Sequence, residues 1–350
     1  MKIHEKYILR CLELGENAIG NAAPNPAVGA CIVHDDKIIG EGYTSPYGGP
    51  HAEVNALSRI IDKNLLENST LYVSLEPCSH HGKTPPCSDA IIAAGIPRVV
   101  IGIQDPNSAV NGKGISSLEN AGIDVITGVL QDACREHHKR FLSFHEKQRP
   151  YIILKWAQTS DSFMAPDAAI RGDEKKPYWI TGTLARQRVH QWRSQEQAIL
   201  VGANTVLADD PELNVRRWAG ASPTRIILDQ KNEVSAGHRV CNEIAPSWIV
   251  SPEVRTDLPS HVVNFPIPFD EHLLDNLLKE LHKQKINSLF VEGGSQTLQA
   301  FLDSGLWDEA RIFTGAMEFR DGLKAPDATG RIVGREIIES DTLLIYRNDR

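Results

Sequence analysis

The sequence contains no run of apolar residues long enough to cross a membrane. A transmembrane helix needs about 18 or more consecutive apolar residues, and no window of this 350-residue chain approaches that length. The first ten residues also lack the apolar core of a secretory signal peptide. We therefore expect a cytoplasmic protein without a membrane partner.

Basic residues are outnumbered, which argues against a second class of function. The chain has 37 Lys and Arg residues against 45 Asp and Glu residues, a formal net charge of -8. Because an acidic surface repels phosphate backbones, a nucleic-acid partner would require a strong local basic patch, and the sequence shows none. The composition favours chemistry on a small molecule.

Cysteine is sparse, and low-complexity tracts and internal repeats are missing. Six cysteines scattered over 350 residues, without a secretory signal, are typical of reduced thiols or metal ligands rather than disulfides. The hydrophobic share of 41% is that of an ordinary globular protein, and the length is that of about two domains.

Helices and strands are predicted to alternate in two blocks. The first block has helices at 3–14, 52–61, 88–94 and 115–121, a hairpin at 28–42, and strands at 70–75, 98–103 and 124–126. After a polar stretch at 137–150, the second block has helices at 184–193, 271–282 and 296–302, and strands at 151–156, 198–201, 224–228, 248–250, 288–292, around 311 and at 343–346. This alternation predicts two α/β domains, at 1–147 and 148–350.

The strongest chemical signal is His51-Ala52-Glu53, followed by Pro77-Cys78 and by Cys87. One imidazole and two thiolates form a three-ligand zinc site whose fourth position can hold water, as in catalytic zinc sites. Glu53 is then available as the general acid and base of a deaminase. We also expect helix dipoles at His51 and Cys78, because each is predicted to lead into a helix. The alternatives are a closed structural zinc site or three unrelated side chains.

The spacing of the two thiols departs from the usual deaminase signature Pro-Cys-x-x-Cys. Eight residues, Ser-His-His-Gly-Lys-Thr-Pro-Pro, separate Cys78 from Cys87. With this insertion the chain closely resembles the RibD family, the bifunctional deaminase/reductases of riboflavin biosynthesis. The resemblance covers nearly the whole chain, weakens beyond about Gly315, and includes the stretches Pro24-Asn25-Pro26-Ala27-Val28-Gly29, Gln104-Asp105-Pro106-Asn107, Leu154-Lys155-Trp156-Ala157, Trp179-Ile180-Thr181, Thr205-Val206-Leu207-Ala208-Asp209-Asp210-Pro211 and Val291-Glu292-Gly293-Gly294.

The resemblance implies both a fold and a reaction sequence. The N-terminal domain would be a cytidine-deaminase-like three-layer domain with zinc, and the C-terminal domain a dihydrofolate-reductase-like domain that uses NADPH. The implied substrate is a phosphoribosylated diaminopyrimidinone, which is deaminated at C2 before its ribosyl group is reduced to ribityl. Because related folds commonly self-associate, we also expect a homo-oligomer.

The resemblance also carries site residues onto this chain. Its zinc ligands fall on His51, Cys78 and Cys87, its proton shuttle on Glu53, and its deaminase substrate contacts on Asn25, His80 and Lys83. In the reductase, expected substrate contacts fall on Lys155, Arg193, Leu213, Arg216 and Glu292. Expected NADPH contacts fall on Ala157, Trp179, Thr205, Asp209, Gly294, Ser295, Gln296, Thr297, Leu298, Gln299 and Ala300.

For several single residues, the physical interpretation leaves a non-functional alternative open. A Gly-Gly turn that opens a helix lets backbone amides approach a cofactor phosphate, although such a pair also makes an ordinary sharp corner. Asn25 is equally a turn residue between two prolines. His80 and Lys83 are alternatively solvated side chains, and the arginines are alternatively members of surface ion pairs.

Several positions depart from the family pattern. Ser162 and Phe163 stand where the family usually has Gly and Lys, and Pro177 stands where a substrate-binding serine is common. Because a Cβ restricts positive φ, Ser162 predicts an altered loop. A second hypothesis is therefore a deaminase whose reductase domain has lost or narrowed its activity. Hypotheses from other classes are a nucleic-acid-editing deaminase, which the net acidity disfavours, and a non-enzymatic zinc-stabilised binding module.

Overall fold

The structure is a computed structural model that describes residues 3–79, 85–107, 110–167, 170 and 178–349. The chain divides into two compact units, Met1–Gln148 and Arg149–Arg350. This division lies next to the boundary predicted at residue 147. Over the described residues, no helix combines the length and the apolar composition that a membrane crossing requires.

The first unit is built on a mixed sheet, which has five strands in the described part of the chain. They are β1 (Gly29–His34), β2 (Lys37–Tyr43), β3 (Thr70–Leu75), β4 (Arg98–Ile103) and β5 (Asp124–Thr127), in the order β2-β1-β3-β4-β5. β1 is antiparallel to both neighbours, whereas β3, β4 and β5 are parallel. The helices are α1 (Ile3–Glu16), α2 (Ala52–Ser58), α3 (Cys87–Ala93), α4 (Lys113–Asn120), α5 (Gln131–His137) and α6 (Lys139–Glu146), with a 3-10 turn at Lys63–Asn68.

Helices cover both faces of this sheet. A Cβ on Gly29 would lie 1.9 Å from the Cys11 carbonyl oxygen of α1, and one on Gly42 would lie 2.3 Å from the Ala52 carbonyl oxygen of α2. Gly42 pairs with Ala30 across β1 and β2, and successive residues of a strand face opposite sides. α1 and α2 therefore pack on opposite faces, in the three-layer arrangement that the resemblance implied.

The second unit contains a larger sheet, with nine strands within the described ranges. They are β6 (Tyr151–Gln158), β8 (Ala198–Gly202), β9 (Thr224–Leu228), β10 (Ser247–Ser251), β11 (Val262–Pro266), β12 (Ser288–Val291), β13 (Glu309–Thr314), β15 (Arg331–Ile338) and β16 (Asp341–Arg347). β7 (Phe163–Pro166) and β14 (Gly322–Lys324) form a separate antiparallel pair. The helices are α7 (Thr183–Gln195), α8 (Ala203–Asp209), α9 (Leu273–Lys283) and α10 (Ser295–Ser304), and Arg239–Cys241 forms a 3-10 turn.

In sheet order, the seven strands of the large sheet from β11 to β13 are parallel, and the central strand β6 is buried on both faces. Its order is β11-β10-β9-β8-β12-β6-β13-β16-β15, with β16 and β15 antiparallel at one end. Along β6, Ile152 and Leu154 belong to one apolar cluster, and Tyr151 and Ile153 belong to another. Because the carboxyl ends of parallel strands meet at one edge, the ends of β6, β8 and β12 together provide the position where ligands bind in open α/β sheets.

Ser162 lies in the turn between β6 and β7 with a φ of +67°. This is the left-handed region that favours glycine, the residue usual in the family at this position. The carboxylate of Asp161 holds the turn by accepting hydrogen bonds from the backbone N–H groups of Phe319 and Arg320. The side chain of Phe163 is buried. The structure therefore gives Ser162 the backbone conformation of a glycine.

We expect Ser162→Gly to stabilise the second unit by about 1 kcal/mol. The change relieves about 1–2 kcal/mol of left-handed strain, against about 0.4–1 kcal/mol of added backbone freedom in the unfolded chain. Urea unfolding followed by tryptophan fluorescence measures this, because all six tryptophans (156, 179, 192, 218, 248 and 307) belong to the second unit. Ser260→Gly, at an exposed residue without positive φ, should instead destabilise slightly. Equal losses in both variants would contradict the prediction.

Candidate active sites

Three metal-ligating side chains converge beyond the carboxyl end of β3. His51 is the N-cap residue of α2, Cys78 lies in the loop after β3, and Cys87 begins α3. His51 Nδ1 is 3.5 Å from Cys78 Sγ and 3.3 Å from Cys87 Sγ. The three ligand atoms all lie within 4.8 Å of one another. The structure thus brings together the three residues that the sequence selected as metal ligands.

The electrostatics of these thiols suit a metal ion. Hydrogen bonding with the Cys87 thiol, assisted by His51, lowers the pKa of Cys78 to about 4. The loop of Cys78 leads into α3, which begins at Cys87, one residue before the predicted start. The backbone N–H of Cys87 donates to Cys78 Sγ at 3.4 Å. A thiolate, a second thiol and an imidazole within mutual reach form the donor set of a zinc site, so the residues present fit that ion.

Glu53 lies in the first turn of α2, two residues after His51. Its side chain is buried, with only 4% of its surface exposed. Burial raises the pKa of Glu53 to about 7, and the nearby Cys78 charge adds to the rise. A carboxyl group with this pKa can both accept and return a proton near neutral pH, as a general acid and base must.

Glu76, at the start of the loop that contains Cys78, anchors this loop by hydrogen bonds to neighbouring segments. Its carboxylate is buried and accepts hydrogen bonds of 2.9 to 3.3 Å from the backbone N–H groups of Asp105, Gly112, Gly114 and Ile115. No role was predicted for Glu76 from the sequence. The available signal was an acidic residue at the end of a buried strand, where a carboxylate needs hydrogen-bond partners.

Of the other three predicted deaminase residues, the structure describes only Asn25. Asn25 lies in the segment that leads into β1, and its backbone N–H donates to the Ala22 carbonyl oxygen at 3.0 Å, as in a turn. Because β1 runs antiparallel to β3, this segment and Cys78 lie at the same end of the sheet. His80 and Lys83 fall outside the described residues.

Removal of zinc by a chelator is expected to make Cys78 the most reactive thiol of the chain. Cys78 is partly exposed and has a lowered pKa, whereas Cys11, Cys31 and Cys134 are buried without exposed surface. Thiolate character and access together control alkylation. Iodoacetamide labelling followed by peptide mass spectrometry should modify Cys78 first after chelation, and added zinc should protect it. Labelling of Cys11 at a comparable rate, or no protection by zinc, would contradict this assignment.

A second group of charged side chains lies at the carboxyl ends of β6 and β12. Glu292, the residue after β12, forms a bidentate ion pair with Arg193 of α7, with N–O distances of 2.6 and 2.9 Å. Lys155 Nζ of β6 lies 3.7 Å from Glu292 Oε2. The three side chains are only 8 to 15% exposed. Arg193 is therefore not part of a surface ion pair, which was the alternative left open by the sequence.

These charges define the electrostatics of the second site. Burial alone would raise the pKa of Glu292, but the charges of Arg193 and Lys155 outweigh it and hold that pKa at about 2. Burial lowers the pKa of Lys155, and Glu292 opposes this effect. Burial and the charges of Arg193 and Arg216 lower the pKa of His190 to about 4. The site therefore contains an ionised carboxylate, cations and a neutral imidazole.

The charged group forms part of an open cleft with a volume of about 200 Å³. Several predicted reductase residues line the same cleft, namely Lys155, Ala157, Trp179, Arg193, Asp209, Arg216 and Glu292. Sequence reasoning did not select Arg186 and His190, although their spacing with Arg193 places all three on one face of a helix. The guanidinium of Arg186 lies 4.7 Å from the centre of the Trp179 ring. The cleft therefore combines an exposed aromatic face with several cations.

Among the remaining predicted reductase residues, Thr205 and the Gly294–Ala300 segment meet at the start of α10. Gly294 is the N-cap of α10 and follows a cis peptide bond with Gly293. A Cβ on Gly294 would lie 3.2 Å from Thr205 Oγ1, so the starts of α8 and α10 are adjacent. Within Gly294–Ala300, Leu298 packs in the core and residues 296, 299 and 300 are exposed. The side chain of Leu213 also packs in the core.

Protein-family models match both parts of the chain. Residues 1–103 match the model of the cytidine and deoxycytidylate deaminase zinc-binding region, and residues 150–317 match the RibD C-terminal domain. Riboflavin biosynthesis protein RibD of Aquifex aeolicus (strain VF5) is 41% identical over 331 residues, which are 93% of this chain and 90% of that protein. The chain belongs to the RibD family. RibD of Escherichia coli (strain K12) is 40% identical over 326 residues, 88% of this chain and 86% of that protein.

Solved RibD structures share the whole fold. A crystal structure of a diaminohydroxyphosphoribosylaminopyrimidine deaminase/5-amino-6-(5-phosphoribosylamino)uracil reductase from Thermotoga maritima has a TM-score of 0.89, 37% identity and 99% coverage of each chain. RibD of Acinetobacter baumannii has a TM-score of 0.88 and 31% identity, with 99% of each chain covered. The predicted α/β fold class, with a deaminase-like and a reductase-like domain, is confirmed. The chain is an enzyme of riboflavin biosynthesis with a deaminase and a reductase domain.

Proposed function

We propose that the chain catalyses two successive steps on one phosphoribosylated pyrimidine. The first is hydrolytic deamination of 2,5-diamino-6-(5-phosphoribosylamino)pyrimidin-4-one at C2, assigned to residues 1–147. The second is NADPH-dependent reduction of the ribosyl group of the aminouracil product to ribityl, assigned to residues 148–350. The observation that carries the proposal is the convergence of His51, Cys78 and Cys87 beside a buried carboxyl group. The cytoplasmic location and the homo-oligomer remain predictions.

In the deamination, His51, Cys78 and Cys87 would hold zinc. When bound, zinc supplies Lewis-acid chemistry that lowers the pKa of a water molecule toward about 7. Glu53 takes the proton of the attacking water and returns it to the departing amino group, so that ammonia leaves and a carbonyl forms at C2. Its raised pKa suits both halves of this transfer. Asn25, His80 and Lys83 are the proposed substrate contacts.

In the reduction, NADPH when bound would supply a hydride to the sugar C1, and a proton from solvent would complete the conversion to ribityl. The proposed substrate contacts are Lys155, Arg193, Leu213, Arg216 and Glu292, with Leu213 restricted to its backbone because its side chain is in the core. The ion pairs with Glu292 fix Lys155 and Arg193 in the cleft before substrate arrives. The cofactor would lie near Ala157, Trp179, Thr205, Asp209 and the Gly294–Ala300 segment. The open N-terminus of α10, preceded by two glycines, suits an anionic group of the cofactor.

The replacement of the usual lysine by Phe163 was one reason to consider a deaminase without reductase activity, and the structure does not favour that hypothesis. The side chain of Phe163 is buried, and the Lys155, Arg193 and Glu292 group is assembled in the cleft. Pro177 lies outside the described residues. We therefore favour an active reductase over the deaminase-only hypothesis.

Separate readouts test the two steps. Purified zinc-loaded protein is incubated with the diaminopyrimidinone phosphoriboside, and ammonia release and NADPH oxidation are followed independently. We expect ammonia in the absence of NADPH, and NADPH oxidation once the deaminated product has formed, with NADH as the comparison cofactor. Absence of ammonia release would refute the deaminase assignment. Ammonia without NADPH oxidation, even with the deaminated product supplied directly, would refute the reductase assignment.

A further inference from the structure

Asn214 contacts two arginines, Arg193 and Arg216, that line the cleft of the second unit. Only 6% of Asn214 is exposed. Its backbone carbonyl oxygen accepts a hydrogen bond from Arg193 Nη1 at 3.2 Å, and its Oδ1 accepts one from Arg216 Nη1 at 3.0 Å. Its Nδ2 donates to Glu212 Oε2 at 3.0 Å. One buried residue therefore contacts both arginines that were predicted to bind substrate.

The partner of Arg216 differs in charge from the partner of Arg193. Arg193 is neutralised by its bidentate pair with Glu292, whereas the guanidinium of Arg216 is held by a neutral amide. Counting only residues that the structure describes, no carboxylate lies within ion-pair distance of Arg216. Glu212 instead contacts Arg239 and the amide of Asn214. The charge of Arg216 is thus available to an anion in the cleft.

Like charges oppose this placement of Arg216. Burial, followed by the charge of Arg193, lowers the pKa of Arg216. Protonated His190 would add a third charge, because its Nδ1 accepts a hydrogen bond from the Arg216 backbone N–H at 3.4 Å. Burial and the two arginines prevent this by lowering the pKa of His190 to about 4. The hydrogen bond that Arg216 donates to Asn214 Oδ1, together with the charge of Glu212, therefore opposes this repulsion.

We propose that Asn214 is a positioning residue that directs the Arg216 guanidinium toward the phosphate group of the reductase substrate. A neutral residue is required because a carboxylate at this position would itself pair with Arg216 and compete with the phosphate. This inference rests on the proposed reductase function for the identity of the anion. It goes beyond that function by explaining how a residue without a role in the family pattern sets affinity.

The Asn214→Asp variant tests the proposal, since it keeps the side-chain shape and adds a charge next to Arg216. Ribose 5-phosphate is titrated into the full-length protein while tryptophan fluorescence is followed. Because all tryptophans belong to the second unit and Trp179 lines the cleft, this signal reports on the cleft. We expect affinity to fall at least tenfold, as for the loss of a charge-assisted hydrogen bond. In turnover, KM for the deaminated intermediate should rise at least tenfold, with kcat within about twofold.

Two further variants separate this role from a structural one. Asn232→Asp makes the same charge change at an exposed residue, and it should leave affinity and KM unchanged. In an Arg216→Gln background, Asn214→Asp should have no further effect on affinity, because Asn214 is proposed to act only through Arg216. An unchanged affinity in Asn214→Asp, or an equal loss in both backgrounds, would overturn the proposal.

The binding measurement also distinguishes the inference from the proposed function. Ribose 5-phosphate binding that depends on Asn214 and Arg216, in a protein that never oxidises NADPH, would support the positioning role while refuting the reductase step. Turnover of NADPH with no effect of Asn214→Asp on KM would refute the positioning role alone. Failure of the wild-type cleft to bind ribose 5-phosphate would also overturn the inference.

Discussion

Replacement of Glu53 by Gln should reduce deamination by a factor of about 10² to 10⁴, the range for removal of a general acid or base. Gln has almost the same shape as Glu but cannot take up and return the proton. Because Glu53 is not one of the three ligating residues, bound zinc should remain at one equivalent. The measurement combines ammonia release with metal analysis of the purified variant.

The chain provides two controls for this experiment. Glu67→Gln makes the same change at an exposed residue of the first unit, and it should leave deamination unchanged. Reduction of the separately supplied deaminated product should also persist in Glu53→Gln, because the proposed reductase residues belong to the other unit. Deamination at the wild-type rate in a zinc-loaded variant would show that Glu53 is not the proton shuttle.

Replacement of Glu292 by Gln should destabilise the second unit by about 3–5 kcal/mol, because it leaves two buried cations without their counter-charge. Lys155 and Arg193 are only 15% and 12% exposed and both lie within ion-pair distance of Glu292. Reductase activity should be lost as well, since the same carboxylate orders both cations in the cleft. Urea unfolding monitored by tryptophan fluorescence measures the stability of this unit.

A surface ion pair in the same unit gives the matched control. Glu336 pairs with Arg188, and these side chains are 46% and 36% exposed. Glu336→Gln should therefore cost no more than about 1 kcal/mol. Equal losses in the two variants would show that the Glu292 pair behaves like a solvent-screened surface pair, and the electrostatic description of the cleft would be wrong.

The buried strands were predictable from the sequence, and several exposed or polar elements were not. β3, β4 and β9 have the predicted bounds, because strands buried on both faces are short apolar runs. β15 was not predicted: it is an edge strand, and Ile332, Val333 and Ile337 on it are exposed, so no alternating pattern marks a core face.

The polar stretch before the domain boundary was also misjudged. Residues 137–150 were interpreted as a connecting segment, yet α6 occupies Lys139–Glu146 and buries Phe141 and Leu142. A short helix with one narrow apolar face among charged residues resembles a polar linker when the window is only two turns long. α8, β7, β11 and β14 were missed as well, and each is also short.

The two sites differ in how much of them the sequence could reveal. His51, Cys78 and Cys87 were predicted as one cluster because metal ligation restricts residue type and spacing. The roles of Glu76 and Asn214 could not be predicted. Glu76 binds backbone groups 29 to 39 residues away, and a side chain's choice of distant N–H groups leaves no pattern in the sequence. Asn214 stands beside Arg216, yet only the fold shows that its amide and carbonyl serve two cleft arginines.

X-ray absorption at the zinc edge of the full-length protein tests the central claim most directly. Two thiolates and one imidazole that leave one position open predict two sulfur atoms at about 2.3 Å and two nitrogen or oxygen atoms at about 2.0–2.1 Å from the ion. Cys87→Ser should remove one sulfur from that shell. A shell of four protein ligands, or a wild-type spectrum in Cys87→Ser, would contradict the claim, because no position would then remain for the water that Glu53 is proposed to deprotonate.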